Sequence, residues 1–411
     1  MLGRSVGDAV GRHLDRIERL DGRLHAFVHV DRSARGGEGP LAGTTVAVKD
    51  NLPVAGMPWT DGSAAWRDRV ADHDDPAVSR LRAAGAAILG KTNLPELAAA
   101  IGTTNSIFPA TSNPWREGFT PGGSTGGGAA AVAAGMASIG VGTDMGGSIR
   151  IPASCCGVAG LRPSVSRVPT DIVDAAGLSV TAPLARTVAE IRGAFAVMVA
   201  EEPQPRAAGR ARIGVAEDTS LGVHPACRDA CRRAADALEN AGHVAKRIAW
   251  ESEAVSEGYG TVRRASMASF PADLDKFGPG IRGLVEQGRK LSALDFFTAY
   301  ERATALAMRV VNSPLLTDFD LLLTPTLGLP PMRIEEVPAF LSEPYRGYVQ
   351  FVLPVSFAKV PAVSIPAGLH DGLPVGVQLV GRFAQEWALL DVAEDLEAMD
   401  GFGFQEPPGL D

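Results

Sequence analysis

The sequence predicts an α/β layered fold built on a mostly parallel or mixed sheet. Two observations carry this. Short β-branched runs alternate along the chain with segments of helical periodicity, and glycine- or proline-rich turns separate them. The composition, 45% hydrophobic and 21% charged, suits a buried core beneath a charged surface.

Each element has a local reason. Val6, Val10, Leu14, Ile17 and Leu20 recur at spacings of four and three, which predicts an amphipathic helix ending near Asp21-Gly22. Thr45-Val46-Ala47-Val48 predicts a strand with Lys49 at its end. Asp75-Pro76 reads as an N-cap followed by proline at the first helical position, and Gly85 as the stop of that helix. Residues 86–89 then form a buried strand, and 113–128 a Pro/Gly-rich loop. Residues 129–137 predict a helix of small side chains, followed by a strand at Ile139-Gly140-Val141. Further strands are expected at 213–216, 321–323, 362–365 and 375–380, with helices after Pro225 and around 387–396. The only linker-like stretch, 201–209, is short and has core-like strands on both sides, so the reading is one domain over residues 1–411.

Bulk properties exclude several classes of function. The net charge of −8 and the lack of a dense Lys/Arg run argue against nucleic-acid binding. Arg4, Asp8, Arg12, Asp15 and Arg16 interrupt any signal peptide, and the apolar stretch 129–142 is too short and glycine-rich to span a membrane. Four cysteines do not make a disulfide framework in so long a chain, and a cytoplasmic protein is expected.

The chemistry concentrates in two loops, Pro121-Gly122-Gly123-Ser124-Thr125-Gly126-Gly127-Gly128 and Thr143-Asp144-Met145-Gly146-Gly147-Ser148-Ile149-Arg150. Each sets a serine among glycines. Glycine permits positive φ and close approach, and successive backbone N–H groups in such a turn form an anion-binding concavity. In acyl transfer that concavity is an oxyanion hole. Either loop alone also reads as a plain structural turn. A P-loop requires a lysine after the glycines, and none is present; Gly140-Val141-Gly142 lacks the last glycine of a dinucleotide fingerprint. Gly122-Gly123-Ser124-Thr125-Gly126 does match a nucleophile elbow, which would make Ser124 the nucleophile of an α/β-hydrolase-type esterase with His370 as a late histidine. The preceding residues, 115–121, do not read as the strand such an elbow needs.

The segment from Gly122 to Ser164 strongly resembles the signature of the amidase signature family. The matching pieces are Gly122-Gly123-Ser124, the alanine-rich helix, Gly142-Thr143-Asp144, Gly146-Gly147-Ser148-Ile149-Arg150, Pro152-Ala153 and Cys156-Gly157-Val158-Ala159-Gly160-Leu161-Arg162-Pro163. Similar landmarks occur at Val46-Ala47-Val48-Lys49-Asp50, Gly90-Lys91-Thr92-Asn93, Asn113-Pro114-Trp115, Leu323-Thr324-Pro325-Thr326, Pro361-Ala362-Val363-Ser364 and residues 372–378, so the resemblance covers nearly the whole chain. It implies a single α/β/α domain around a large, mixed, twisted sheet. It also implies a catalytic triad of Lys49, Ser124 and Ser148, with Ser124 following a non-proline cis peptide, Ser148 as nucleophile, and the backbone N–H groups of Met145, Gly146, Gly147 and Ser148 as the oxyanion hole. Thr125, Gly128 and Lys359 depart from the family pattern. Of these, Lys359 bears on the substrate class.

That triad makes chemical sense. A serine hydroxyl is a weak nucleophile and needs a base. No histidine lies near either loop in sequence. A lysine serves as the base only when neutral, and burial lowers its pKa. A hydroxyl both donates and accepts, so Ser124 can relay the proton from Ser148 to Lys49. The scheme calls for no metal and no organic cofactor.

Other residues invite sharper readings than they support. His224, Cys227 and Cys231 suggest a metal site, but the cysteines share a helix face with Ala234 and Leu238 and read as core. Cys155 and Cys156 are read as packing residues, Lys91 as structural, and Asp144 and Arg150 as a brace for the catalytic turn. Counting back from Asn113-Pro114 places Ala98 and Ala100 on a pocket loop of the family; with Gly123 and Thr143 they are the expected substrate contacts. The function expected is hydrolysis of a small-molecule amide, with no nucleic acid or membrane partner and a homodimer left open. The main alternative is the glutamine-hydrolysing component of a tRNA amidotransferase, and a non-catalytic binding module is a third.

Overall fold

The computed structural model describes residues 6–174, 176–204, 206, 209–270 and 274–410. Arg4 and part of the linker-like stretch, at 205, 207 and 208, lie outside them. Among the described residues, one mixed sheet of 11 strands runs through the molecule. In chain order the strands are β1 Phe27–Val30, β2 Thr45–Lys49, β3 Ala87–Thr92, β4 Ile139–Asp144, β5 Ala159–Arg162, β6 Val180–Ala185, β7 Arg212–Val215, β8 Val244–Arg247, β9 Leu321–Pro325, β10 Ala362–His370 and β11 Leu373–Val380. Their order across the sheet is β1-β3-β2-β4-β6-β5-β10-β11-β9-β7-β8. β2 pairs in parallel with β3 and β4, and β7 with β8 and β9; the other neighbours are antiparallel. The last two strands form a hairpin in the middle: β10 pairs with β5 and β11 with β9.

The helices are α1 Val6–Leu24, α2 Pro76–Ala83, α3 Gly126–Ala133, α4 Arg150–Cys156, α5 Val188–Val199, α6 Pro225–Asn240, α7 Glu253–Met267, α8 Pro279–Gly288, α9 Ala293–Ala307, α10 Ser313–Thr317, α11 Glu343–Val349, α12 Val352–Ala358 and α13 Glu386–Glu397. The largest apolar cluster lies between the sheet and α2, α5, α6 and α13, and a second packs α7, α9, α11 and α12 against the sheet and α4. The cap at α2 is as expected: Asp75 accepts from Ala77 N–H at 2.9 Å and Pro76 opens the helix.

Two boundaries depart from expectation. α1 runs through Gly22 to Leu24, because Leu24 is buried and its burial outweighs the ~1 kcal/mol cost of an interior glycine. Asp21 does not stop the helix; its carboxylate accepts from Ala26 N–H at 2.7 Å and so anchors the entry to β1. α3 begins at Gly126 rather than 129 and ends at Ala133 rather than 137. Its first two residues, Gly126 and Gly127, have no room for a side chain. A Cβ on Gly127 would lie 2.5 Å from Ala26 O and 2.6 Å from Asn93 N. The helix stops at Gly135, in the left-handed region at φ 68°, where Met136 N–H donates back to Ala131 O at 2.8 Å, and two arginines satisfy its last carbonyls, Arg16 Nε to Ala134 O at 2.5 Å and Arg186 Nε to Val132 O at 3.0 Å.

Candidate active site

The site lies at the carboxyl ends of β2 and β4, where a parallel sheet presents its ligands. Lys49 is the last residue of β2, fully buried. Its Nζ lies 2.7 Å from Ser124 Oγ and 2.9 Å from Thr143 Oγ1. Asn51 Nδ2 donates to the same threonine oxygen at 3.0 Å. Burial lowers the Lys49 pKa to about 7; the carboxylates of Asp61 and Asp144 oppose this and the Arg263 guanidinium adds to it.

Ser124 is fully buried and follows a cis Gly123–Ser124 peptide bond. Gly123 has no room for a side chain, since a Cβ there would lie 2.7 Å from Ala100 O and 2.8 Å from Gly102 O. The two serine loops are tied together by Thr125 N–H donating to Ser148 O at 3.1 Å. Ser148 is half-buried at the end of the second loop and faces the same cavity as Ser124. Among the described residues no hydrogen bond joins the two serine hydroxyls; Lys49 is bonded to Ser124, and Ser148 lines the cavity.

The turn before Ser148 is rigidly braced. Asp144 accepts from Gly147 N–H at 2.8 Å, Ile149 N–H at 3.3 Å, Arg150 Nε and Nη2 both at 3.0 Å, and Arg162 Nη1 at 3.1 Å. Burial alone would raise its pKa, but the two guanidinium groups hold it well below the usual carboxylate range. Arg150 is consumed by this brace, donating also to Gln378 Oε1 at 2.7 Å, Ser356 Oγ at 2.9 Å and Val352 O at 3.1 Å. Gly147 therefore departs from its expected role: its N–H is committed to Asp144, leaving Met145, Gly146 and Ser148 as candidate oxyanion donors. A Cβ on Gly146 would meet the Tyr259 ring at 2.7 Å, so glycine lets α7 close over the turn.

The cavity measures about 550 Å³, within the range of small-molecule sites. Met145, Ile172, Phe270 and Phe296 supply apolar wall; Asn51, Asp61, Thr143 and Arg263 supply polar groups. Ala98 and Thr143 line it, as expected. Ala100 and Gly123 do not: Ala100 is exposed, and Gly123 packs against backbone behind Ser124. Lys359 caps α12 in the left-handed region, φ 61°, and its Nζ donates to Ala176 O at 3.3 Å, so it reaches the cavity wall only through that loop. Asn51, Asp61 and Arg263 escape sequence reasoning. Asn51 carries a signal in its place two residues beyond Lys49; Arg263 carries none, because it sits on an ordinary amphipathic helix far along the chain.

Lys91 pairs with Asp50 at 3.0 Å, both fully buried, which is the structural role expected. Cys227 and Cys231 pack in the core with Ala234 and Leu238, while His224 caps α6, accepting from Ala226 N–H at 3.2 Å. Cys155 and Cys156 are buried, with the Cys155 thiol pushed up to about 12 by burial. Ser124 is not on a strand–turn–helix elbow, since no strand lies between β3 and α3. His370 meets His224 edge-on, with ring centroids 4.9 Å apart, and does not line the cavity, so the late histidine of the esterase alternative is not brought to Ser124.

The model of the Amidase family matches residues 12–390. The chain belongs to the amidase family. Among its relatives, a glutamyl-tRNA(Gln) amidotransferase subunit of Synechococcus sp. (strain CC9311) is 31% identical, over 98% of this chain and 96% of that protein. Indoleacetamide hydrolase of Bradyrhizobium diazoefficiens is 32% identical, over 97% of this chain and 84% of that one. The solved structure of 6-aminohexanoate cyclic dimer hydrolase with its substrate superposes with a TM-score of 0.90 at 28% identity, covering 99% of this chain and 96% of that chain. Like its amidase relatives, this protein is an amide-hydrolysing enzyme, which excludes the binding-module reading. Among the described residues no helix is long and apolar enough to cross a membrane.

Proposed function

We propose that this amidase works as a single domain and cleaves a carboxamide C–N bond through an acyl-enzyme on Ser148. The observation that carries the reading is the 2.7 Å approach of Lys49 Nζ to Ser124 Oγ beneath a cavity that Ser148 also lines, with Lys49 titrating at about 7. Neutral Lys49 takes the Ser124 proton as Ser124 takes that of Ser148. Ser148 Oγ adds to the amide carbonyl carbon, and the oxygen becomes an anion facing the N–H groups of Met145, Gly146 and Ser148. The C–N bond then breaks. The proton returns along the relay to the leaving nitrogen, so ammonia or an amine departs neutral. Water, deprotonated by the same relay, adds to the Ser148 ester and releases the carboxylic acid.

Ser148→Ala will lower kcat on the order of 10⁶-fold while circular dichroism stays that of the wild type. A fluorophosphonate will label Ser148 in the wild type; label on Ser124, or undiminished turnover in the alanine variant, overturns the mechanism. The end-to-end likeness to glutamyl-tRNA(Gln) amidotransferase subunits supports a second reading, in which the chain hydrolyses glutamine within a complex. Turnover of small amides by the purified chain alone favours the first reading, and turnover that appears only with partner subunits favours the second.

A further inference from the structure

The cavity holds one cation that the acyl-transfer scheme does not use. Arg263, on α7, lines the same cavity as Ser148 and Thr143 and is half-buried. Its Nη2 donates to Leu97 O at 2.5 Å, which engages one of its five N–H donors. Among the described residues it has no acidic partner. The carboxylates on the cavity wall are already engaged. Asp61 pairs with Arg69 at 3.0 Å, and that guanidinium is clamped between Trp59 and Trp66, 3.9 and 4.6 Å from the ring centroids. Asp174 accepts from the N–H groups of Leu178 and Ser179 in its own turn, at 3.1 and 2.6 Å.

A half-buried guanidinium with free donors facing a cavity is matched by a planar anion that takes two of them at once. We propose that Arg263 binds a carboxylate of the substrate, so that the amide cleaved at Ser148 belongs to an anionic molecule whose acid group lies against α7. The inference rests on the Ser148 reading. Met145, Ile172, Phe270 and Phe296 line the same cavity and give it an apolar wall, which suits an alkyl or aryl portion of that substrate. Arg263 also contributes to lowering the Lys49 pKa, against the pull of Asp61 and Asp144. A bound carboxylate cancels part of the Arg263 charge, so Lys49 titrates higher in the complex than in the free enzyme.

The test uses the purified chain and paired substrates: monoamides of straight-chain dicarboxylic acids of increasing length, N-carboxyalkyl amides, and neutral partners in which methyl replaces carboxylate. A charge-assisted contact predicts that the acids lead their neutral partners by about 10- to 100-fold in kcat/KM, chiefly through KM. R263M will collapse that ratio toward one, and R263K will restore part of it. With an acid substrate the acid limb of kcat will lie at higher pH than that of kcat/KM; with a neutral substrate the two will coincide. If Arg263 only supports the Leu97 carbonyl, acids and neutral amides fall together in R263M and the ratio persists, which overturns the inference. Equal or faster turnover of the neutral amides by the wild type overturns it too, as does failure to turn over any member of the panel. Ser148→Ala assayed beside them separates the two levels. Turnover surviving in that variant sinks the Ser148 mechanism, whereas its loss together with an absent acid preference sinks only the carboxylate assignment.

Discussion

At the scale of single residues, Lys49 carries two opposed demands. The base of the proposed relay must be neutral, and burial does most to make Lys49 so, with the Arg263 charge adding to it. The sign of the pH dependence follows. Below about pH 7 Lys49 is protonated and cannot accept the Ser124 proton, so kcat/KM rises with pH through that region and then levels; a profile that falls across it contradicts the assignment. Stability follows the same titration. The folded chain binds fewer protons than the unfolded chain between pH 7 and the ordinary lysine range, so Lys49 costs the fold most below pH 7 and progressively less above it. Lys49→Met will abolish activity yet raise unfolding free energy by about 1–2 kcal/mol at pH 6, with little gain at alkaline pH, measured by urea melts at both. Lys49, Ser124 and Ser148, the residues of the proposed relay, are legible in the sequence because each sits in a motif. The commitment of the Gly147 N–H to Asp144 is not, since that bond depends on how tightly the turn closes.

At the scale of elements, the turn before Ser148 is held by a carboxylate that gathers donors from several segments. Asp144 ends β4; its partners come from its own turn, from α4 and from β5, and Arg150 passes the network on to α12 and β11. Replacing it leaves two guanidinium groups buried without an anion. Asp144→Asn will cost about 3–5 kcal/mol of stability, read as a lowered denaturant midpoint, and activity will fall further than stability explains because the turn loosens. A loss under about 1 kcal/mol would mean that the brace is dispensable. Strand and helix existence is largely readable from periodicity and turn chemistry, as at β2, β4, α2 and α13. The misplaced boundaries, at Leu24 and Gly126, share a cause: propensity weighs glycine as a helix breaker, whereas buried Leu24 and the close approach at Gly127 reward it. The helices from α7 to α12 leave a weak signal, because helices packed on other helices look alike whichever face they bury. Arg263 is hidden in the sequence for that reason.

At the scale of the molecule, the sheet is two groups of strands joined by a hairpin made last. β1 to β6 lie on one side and β7 to β9 on the other, and only β10 and β11 bridge them, pairing with β5 and β9. The sequence announces both strands of that hairpin but not their place, because pairing partners some 200 residues earlier leave no local trace.

The hairpin's position makes the molecule a poor candidate for folding while it is synthesised. Until residue 380 has left the ribosome, β5 and β9 are open edges, buried on both faces in the finished sheet and rich in unpaired backbone groups. Release of a chain that stops before Ala362 will yield aggregates rather than a smaller working enzyme, as size-exclusion chromatography of the soluble fraction will report. The full chain, rich in contacts distant in sequence, will refold slowly from denaturant and with a yield that falls as its concentration rises. Supplying residues 362–411 as a separate peptide during refolding of the shortened chain will recover soluble protein if the hairpin is the closing piece, and will change nothing if the two strand groups associate without it.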